Sequence, residues 1–177
     1  VLTWKVPSLG STKLRFDAQT IADLYLGKIS KWTDARLAAL NQGVKLPGSD
    51  IIVVHRSEGS GTTYIFTEYL SKVSPEWKQK AGFATSVSWP VGLGGKGSEG
   101  VTQQVKSVEG TIGYVELIYA VANKLPFADI KNAAGKFVTP SLQTTTNAAA
   151  SAKFPANTDF RVSITNAPGA QAYPISS

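Results

Sequence analysis

The stretch IIVVHRSEGSGTTYIFTEYL, residues 51–70, constrains this chain more than any other. It opens on a continuous apolar run rich in β-branched residues, the kind of strand that lies in a sheet covered on both faces. A small polar hinge, RSEGSGT, follows. The block after it places Tyr64, Ile65, Tyr69 and Val73 within reach of one helical face. Strand, tight hinge and helix in that order form the first part of a strand–helix–strand unit, because a parallel neighbour can be reached only by a crossover.

The rest of the chain repeats the alternation. Residues 1–6 and 13–16 read as short strands. Asp17 is placed to cap a helix whose inner face carries Ile21, Leu24, Tyr25 and Ile29, with Gly27 near its end. A second helix is expected over 33–41, capped by Thr33 or Asp34. SPEWKQKA begins a further one, with Ser74 as cap and Pro75 in the first turn. The glycine-rich WPVGLGGKGSEG (89–100) reads as a turn into a helix over 98–107 capped by Ser98. GTIGYVEL then supplies a strand, LIYAVANKL a helix, residues 126–130 a short edge element, and GKFVTPSLQTTTNAAASA a turn, a strand and a helix after Pro140. The tail from Phe154 is poorly periodic. This pattern predicts an α/β fold with a mainly parallel sheet flanked by helices. In such sheets ligands collect where loops leave the carboxyl ends of strands, which is where RSEGSGT lies.

A helix beginning near Ser60 or Gly61 leaves its first N–H groups without carbonyl partners, at the positive end of the peptide dipoles. Gly59 and Gly61 let a bound group approach the backbone without Cβ interference. Ser60, Thr62 and Thr63 add hydroxyls, and Arg56 adds a planar fork matched to two anion oxygens. Glu58 is the exception, since a carboxylate repels an anion unless it pairs with Arg56 or accepts a proton from the ligand. A well-capped turn with an incidental Arg–Glu pair uses the same residues, so spacing alone leaves both readings open. Other chemistries fit less well. No G-x-x-x-x-G-K-[ST] phosphate loop is present, because GLGGKGSE puts Lys96 before its last glycine. Position 58 is Glu where a nucleophile elbow needs glycine. The one histidine, His55, ends a buried strand and reads as a packed residue rather than a base. Lys96 in GLGGKG is read as part of a turn rather than as a second anion loop.

Composition narrows the function further. The 177 residues are enough for one domain with a real core, and 42% are hydrophobic and 17% charged. The formal charge of +6 suits anionic partners, but the basic residues are scattered and the four tryptophans are spread along the chain. Nucleic acid is therefore not an expected partner. With no cysteine, one histidine and dispersed acids, no metal site or cofactor is expected. A chain without methionine is expected to be processed or cut from a longer one.

Five blocks then stand in a telling order: IADLYLGKISKW, LNQGVKLPGSDIIVVHRSEGSGTTYIFTEYL, WPVGLGGKGSEGV, GTIGYVEL and AYPISS. Together they resemble the phosphate-binding proteins of bacterial ABC-type phosphate uptake, which have the periplasmic-binding-protein fold. The resemblance implies that Arg56, Ser60, Gly61 and Thr62 hold inorganic phosphate and that Glu58, where the family commonly has aspartate, orients Arg56. It implies binding and release to an ABC permease without chemistry on the ligand, hence no enzyme, in the periplasm or at the cell surface. It further implies that residues 1–177 are a single lobe resembling the second domain of a two-lobed protein. The first lobe is absent from this sequence, and a second polypeptide or a domain-swapped copy is expected to supply it. The rivals from other classes are an enzyme acting on phosphoesters through Ser60 or a metal, and a lobe reused for surface adhesion or signalling.

Overall fold

The computed structural model describes residues 1–157, 159 and 161–177. Its centre is a four-stranded sheet of β1 (Leu2–Trp4), β3 (Ile52–Arg56), β4 (Leu93–Gly95) and β5 (Thr111–Tyr114), in the order β1-β5-β3-β4. β3 runs parallel to both neighbours, pairing Val54 with Gly113 on one side and Arg56 with Gly95 on the other, while β1 is antiparallel to β5. A smaller sheet joins β2 (Arg15–Phe16), β6 (Asp129–Lys131) and β7 (Phe137–Val138).

The apolar run of β3 is explained by what covers it. Val53 belongs to the main core with Trp4, Tyr25, Phe66 and Ile112, whereas Val54 packs with Val101, Val105, Val115 and Ala120. Successive strand residues face opposite sides, so both faces of this sheet are buried and neither residue can be polar. The first side is covered by α1 (Ala18–Tyr25) and α3 (Gly61–Val73), the second by α5 (Gly97–Ser107).

Local chemistry sets the helix ends. Asp17 closes a capping box with Thr20 at the start of α1, and Asp34 accepts from the Arg36 N–H at the start of α2 (Ala35–Leu40). Ser74 ends α3 and caps α4 (Pro75–Lys80), its hydroxyl accepting from Trp77 N at 3.1 Å. Helices α6 (Leu117–Ala122) and α7 (Leu142–Ser151) complete those used below.

Four expectations need correction. GLGGKG is not a free turn, because residues 93–95 form β4 on the open edge of β3. Gly95 has room for no side chain: a Cβ there would lie 2.7 Å from Val101 N and 2.8 Å from the Gly100 carbonyl carbon. Ser98 is not the cap of α5, which starts at Gly97, with Lys96 in the N-cap position making no side-chain bond. The segment around 129–131 is the middle strand of the small sheet and not its edge. On α3 the buried stripe is Phe66, Tyr69 and Leu70 with Thr63 and Thr67, while Tyr64 is 38% exposed. The i, i+3, i+4 spacing of Phe66, Tyr69 and Leu70 outweighs the aromatic character of Tyr64.

Candidate functional site

The sheet delivers Arg56 to the carboxyl end of β3, and the chain turns there through Ser57–Gly59 into α3. Three contacts hold this turn. Ser57 N–H donates to Gly95 O at 3.1 Å, Ser60 N–H to Thr85 O at 2.8 Å, and Arg56 N–H to the Tyr114 hydroxyl at 3.1 Å. Tyr114 comes from the next strand and also meets Thr63 Oγ1 at 2.6 Å, so one buried phenol ties the strand end to the helix start. Burial pushes that phenol up to about 12, which keeps it a neutral hydrogen-bonding group.

The guanidinium is fixed from behind. Arg56 Nε donates to Glu58 Oε1 at 2.7 Å, Nη2 contacts the same oxygen, and Nη1 donates to Ser98 Oγ at 3.1 Å. Gly97, at a positive φ of 70° that suits glycine, adds its N–H to Glu58 Oε1 at 3.0 Å. These bonds, led by that of Arg56, hold the Glu58 carboxyl below its usual range. Glu58 Oε2 is enclosed and has no hydrogen-bond partner among the described residues. A guanidinium has five N–H groups. Three are used here, leaving one on each Nη. The Arg56 side chain is only 14% exposed, so those two donors act at a site partly shielded from water.

Ser60 caps α3, its Oγ accepting from Thr63 N–H at 3.1 Å, which does not consume its own proton. The N–H groups of Gly61 and Thr62 stand in the first turn, where helix geometry provides no carbonyl. A Cβ at Gly61 would meet nothing within 4 Å, so this glycine faces open space and is not demanded by packing. Arg56, Glu58, Ser60, Gly61 and Thr62 therefore gather at one strand–helix junction. Chemically, they offer a charged fork, two backbone donors and the Ser60 hydroxyl, a set suited to a tetrahedral oxyanion.

One further side chain joins them. Glu116, two residues beyond β5, accepts from Thr62 Oγ1 at 2.7 Å and from Ser98 Oγ. Burial alone raises its pKa, but these two hydroxyls and the charge of Arg56 carry it below the usual carboxylate range. Beside the junction lies a groove of about 650 Å3, lined by Gly61, Thr62, Tyr64, Glu116, Leu142 and Ile175 among others. Ser98, Tyr114 and Glu116 were not foreseen as site residues. Applying the strand-end rule to GTIGYVEL as well as to IIVVHR points to Tyr114 and Glu116, since β5 is the parallel neighbour of β3.

His55 lies apart from this chemistry. Its ring stacks on Trp89 with centroids 4.6 Å apart and planes 9° apart, and Nδ1 lies 3.0 Å from Arg56 O. Burial lowers its pKa, favouring the neutral ring. The described hydrogen bonds include none between His55 and Ser60. Among the described residues, no three His, Cys, Asp or Glu side chains cluster as metal ligands, and no helix is long and apolar enough to cross a membrane.

Comparison with known proteins gives this geometry its context. The family model described as a PBP superfamily domain matches residues 6–177. The chain is 53% identical over 163 residues to a phosphate-binding protein PstS of Xylella fastidiosa (strain 9a5c), covering 92% of this chain and 45% of that one. With the protein of the same name from Pasteurella multocida the identity is 47% over 170 residues, covering 96% and 49%. Among solved structures, the ancestral soluble variant of the human phosphate binding protein superposes with a TM-score of 0.69 at 21% identity, covering 98% of this chain and 53% of that one. That likeness concerns the fold. The chain spans about half the length of the curated relatives it matches.

Proposed function

This chain belongs to the PBP superfamily, and on that footing we propose that it binds inorganic phosphate as part of the solute-binding component of an ABC-type phosphate transporter. The observation that carries the reading is the Arg56 fork, fixed by Glu58 at the same strand–helix junction where the N–H groups of Gly61 and Thr62 open α3. Close relatives whose names state phosphate binding support the choice of anion. In this reading Arg56, Ser60, Gly61 and Thr62 contact phosphate and Glu58 orients Arg56. The partners are phosphate and a membrane permease. The setting is the periplasm or cell surface, and no bond of the ligand is made or broken.

We further propose that residues 1–177 form one lobe of a two-lobed protein. The chain's coverage of about half of its relatives supports this, as does the open groove beside the donors. Exposed Tyr64, Phe83, Ile118 and Leu142 supply apolar surface that a second body can cover. Each charge-assisted hydrogen bond contributes roughly 1.5–3 kcal/mol. A lobe offering about half of the enclosing donors is thus expected to bind phosphate several powers of ten more weakly than a closed two-lobed site.

Titration calorimetry of the 177-residue chain tests both statements. Weak binding that Arg56→Ala abolishes is the expected result. Binding indifferent to that substitution overturns the site, and tight binding by the chain alone overturns the single-lobe reading. Hydrolysis of an aryl phosphate by the wild type but not by a Ser60→Ala variant would favour an enzyme instead.

A further inference from the structure

The hydroxyls that flank Arg56 are already committed. Thr62 Oγ1 donates to Glu116 Oε1 at 2.7 Å, and Ser98 Oγ, which accepts from Arg56 Nη1 at 3.1 Å, donates to Glu116 Oε2. A hydroxyl has a single proton. Thr62 and Ser98 therefore turn only lone pairs toward anything else that approaches. Both oxygens of one carboxylate sit where a bound oxyanion would otherwise collect the same donors.

Glu58 and Glu116 differ in this respect. Glu58 Oε1 takes its donors from Arg56 and Gly97, and its Oε2 is enclosed, so that carboxylate is locked behind the guanidinium. Glu116 is exposed and lines the groove of about 650 Å3, so its side chain has somewhere to go.

Resting on the phosphate reading above, we propose that Glu116 is a resident competitor of the anion site: its carboxylate holds the Thr62 and Ser98 hydroxyls, and an oxyanion gains them only by displacing it. Two opposing effects meet here. The ionised carboxylate repels an incoming anion and withholds two donors, both of which weaken binding. Meanwhile it keeps those hydroxyls ordered and the charge of Arg56 partly neutralised until an anion arrives. Displacement also joins separate elements, because Ser98 opens α5 and Glu116 precedes α6. Binding at the start of α3 thereby loosens the tie between α5 and the β5–α6 junction.

The test compares inorganic phosphate binding by calorimetry in the wild type, Glu116→Gln, Glu116→Asp and Arg56→Ala. Glutamine keeps an acceptor for one hydroxyl but removes the charge, and affinity is expected to rise about tenfold. Aspartate keeps the charge, and affinity is expected to stay within about threefold of wild type. Retained circular dichroism guards against misfolding as a cause, and a gain in affinity is not an outcome that damage to the fold produces. An unchanged or weakened affinity in Glu116→Gln, with wild-type binding still dependent on Arg56, overturns the competitor and leaves the phosphate site standing. Wild-type binding that does not depend on Arg56 overturns both.

Discussion

Tyr114→Phe removes one oxygen from the centre of the strand–helix junction and little else. The ring can remain, stacked on Phe66 at 4.3 Å and close to Tyr25 and Trp89. Two partners lose the hydroxyl: Arg56 N–H at 3.1 Å and Thr63 Oγ1 at 2.6 Å. The Arg56 amide is left without an acceptor, which costs about 1–3 kcal/mol for a donor shut away from water. Thr63 stands in the first turn of α3 and can turn its hydroxyl toward the carbonyl of the Ser60 cap, so its loss is smaller, about 0–1 kcal/mol. The expected destabilisation is about 2 kcal/mol, or about 4–8 °C in Tm for a chain of this size. Urea denaturation followed by tryptophan fluorescence measures it, with an unchanged m-value as the sign that the unfolded state is not involved. Tyr119→Phe is the control. Its hydroxyl meets Glu99 at 3.0 Å on the exposed side of the molecule and should cost less than about 0.5 kcal/mol. If Tyr114→Phe costs no more than Tyr119→Phe, the phenol does not hold the junction and the account given above is wrong.

Gly95→Ala forces a Cβ against the Gly100–Val101 peptide unit, at 2.7 and 2.8 Å, where neither atom is a flexible side-chain end. It should destabilise by about 1–3 kcal/mol in the same denaturation assay, and a neutral result would mean that α5 can retreat from β4 at no cost. Acid should erode the Arg56–Glu58 pair in a defined direction. The hydrogen bond from Arg56 lowers the folded pKa of Glu58 below its ordinary value of 4.5, so the unfolded chain binds the proton more readily. Stability from this group is complete above pH 4.5 and falls as pH drops through the folded value. Glu58→Gln should flatten the fall in denaturation midpoint between pH 5 and about 3, and parallel curves for the two proteins would dismiss the linkage.

The parts of this fold legible in the sequence were those that a few consecutive residues decide. Asp17, Asp34 and Ser74 cap the helices as their types and positions suggest, and the apolar run of β3 announces a strand buried on both faces. GLGGKG failed because its residues have little strand preference of their own. The free edge of β3 makes 93–95 a strand, and the approach of α5 makes position 95 glycine. The same division runs through the site. Arg56, Glu58, Ser60, Gly61 and Thr62 lie within seven residues and could be read together. Arg56 reaches Ser98 across 42 residues and Tyr114 across 58, and Thr62 reaches Glu116 across 54. Those partners depend on which strands become neighbours, a choice that no local pattern encodes.

A difference in rigidity between the two sides of the junction follows from these bonds. Behind the donors, each group is fixed by another that is itself fixed: Arg56 by Glu58, Glu58 by Gly97 N–H, and the start of α3 by its Ser60 cap and by Tyr114. Preorganised donors of this kind need no rearrangement when an anion arrives, so their interaction is not spent on ordering them. On the groove side the arrangement is reversed, since Thr62 and Ser98 are tied to an exposed carboxylate that has space to move. A site that closed by contact with a second body would need its adjustable groups on that side, where contact is made, and its fixed groups on the other. Mobility in Arg56 instead would separate the fork from the free N–H groups of Gly61 and Thr62, and the anion could then be held by either set but not by both.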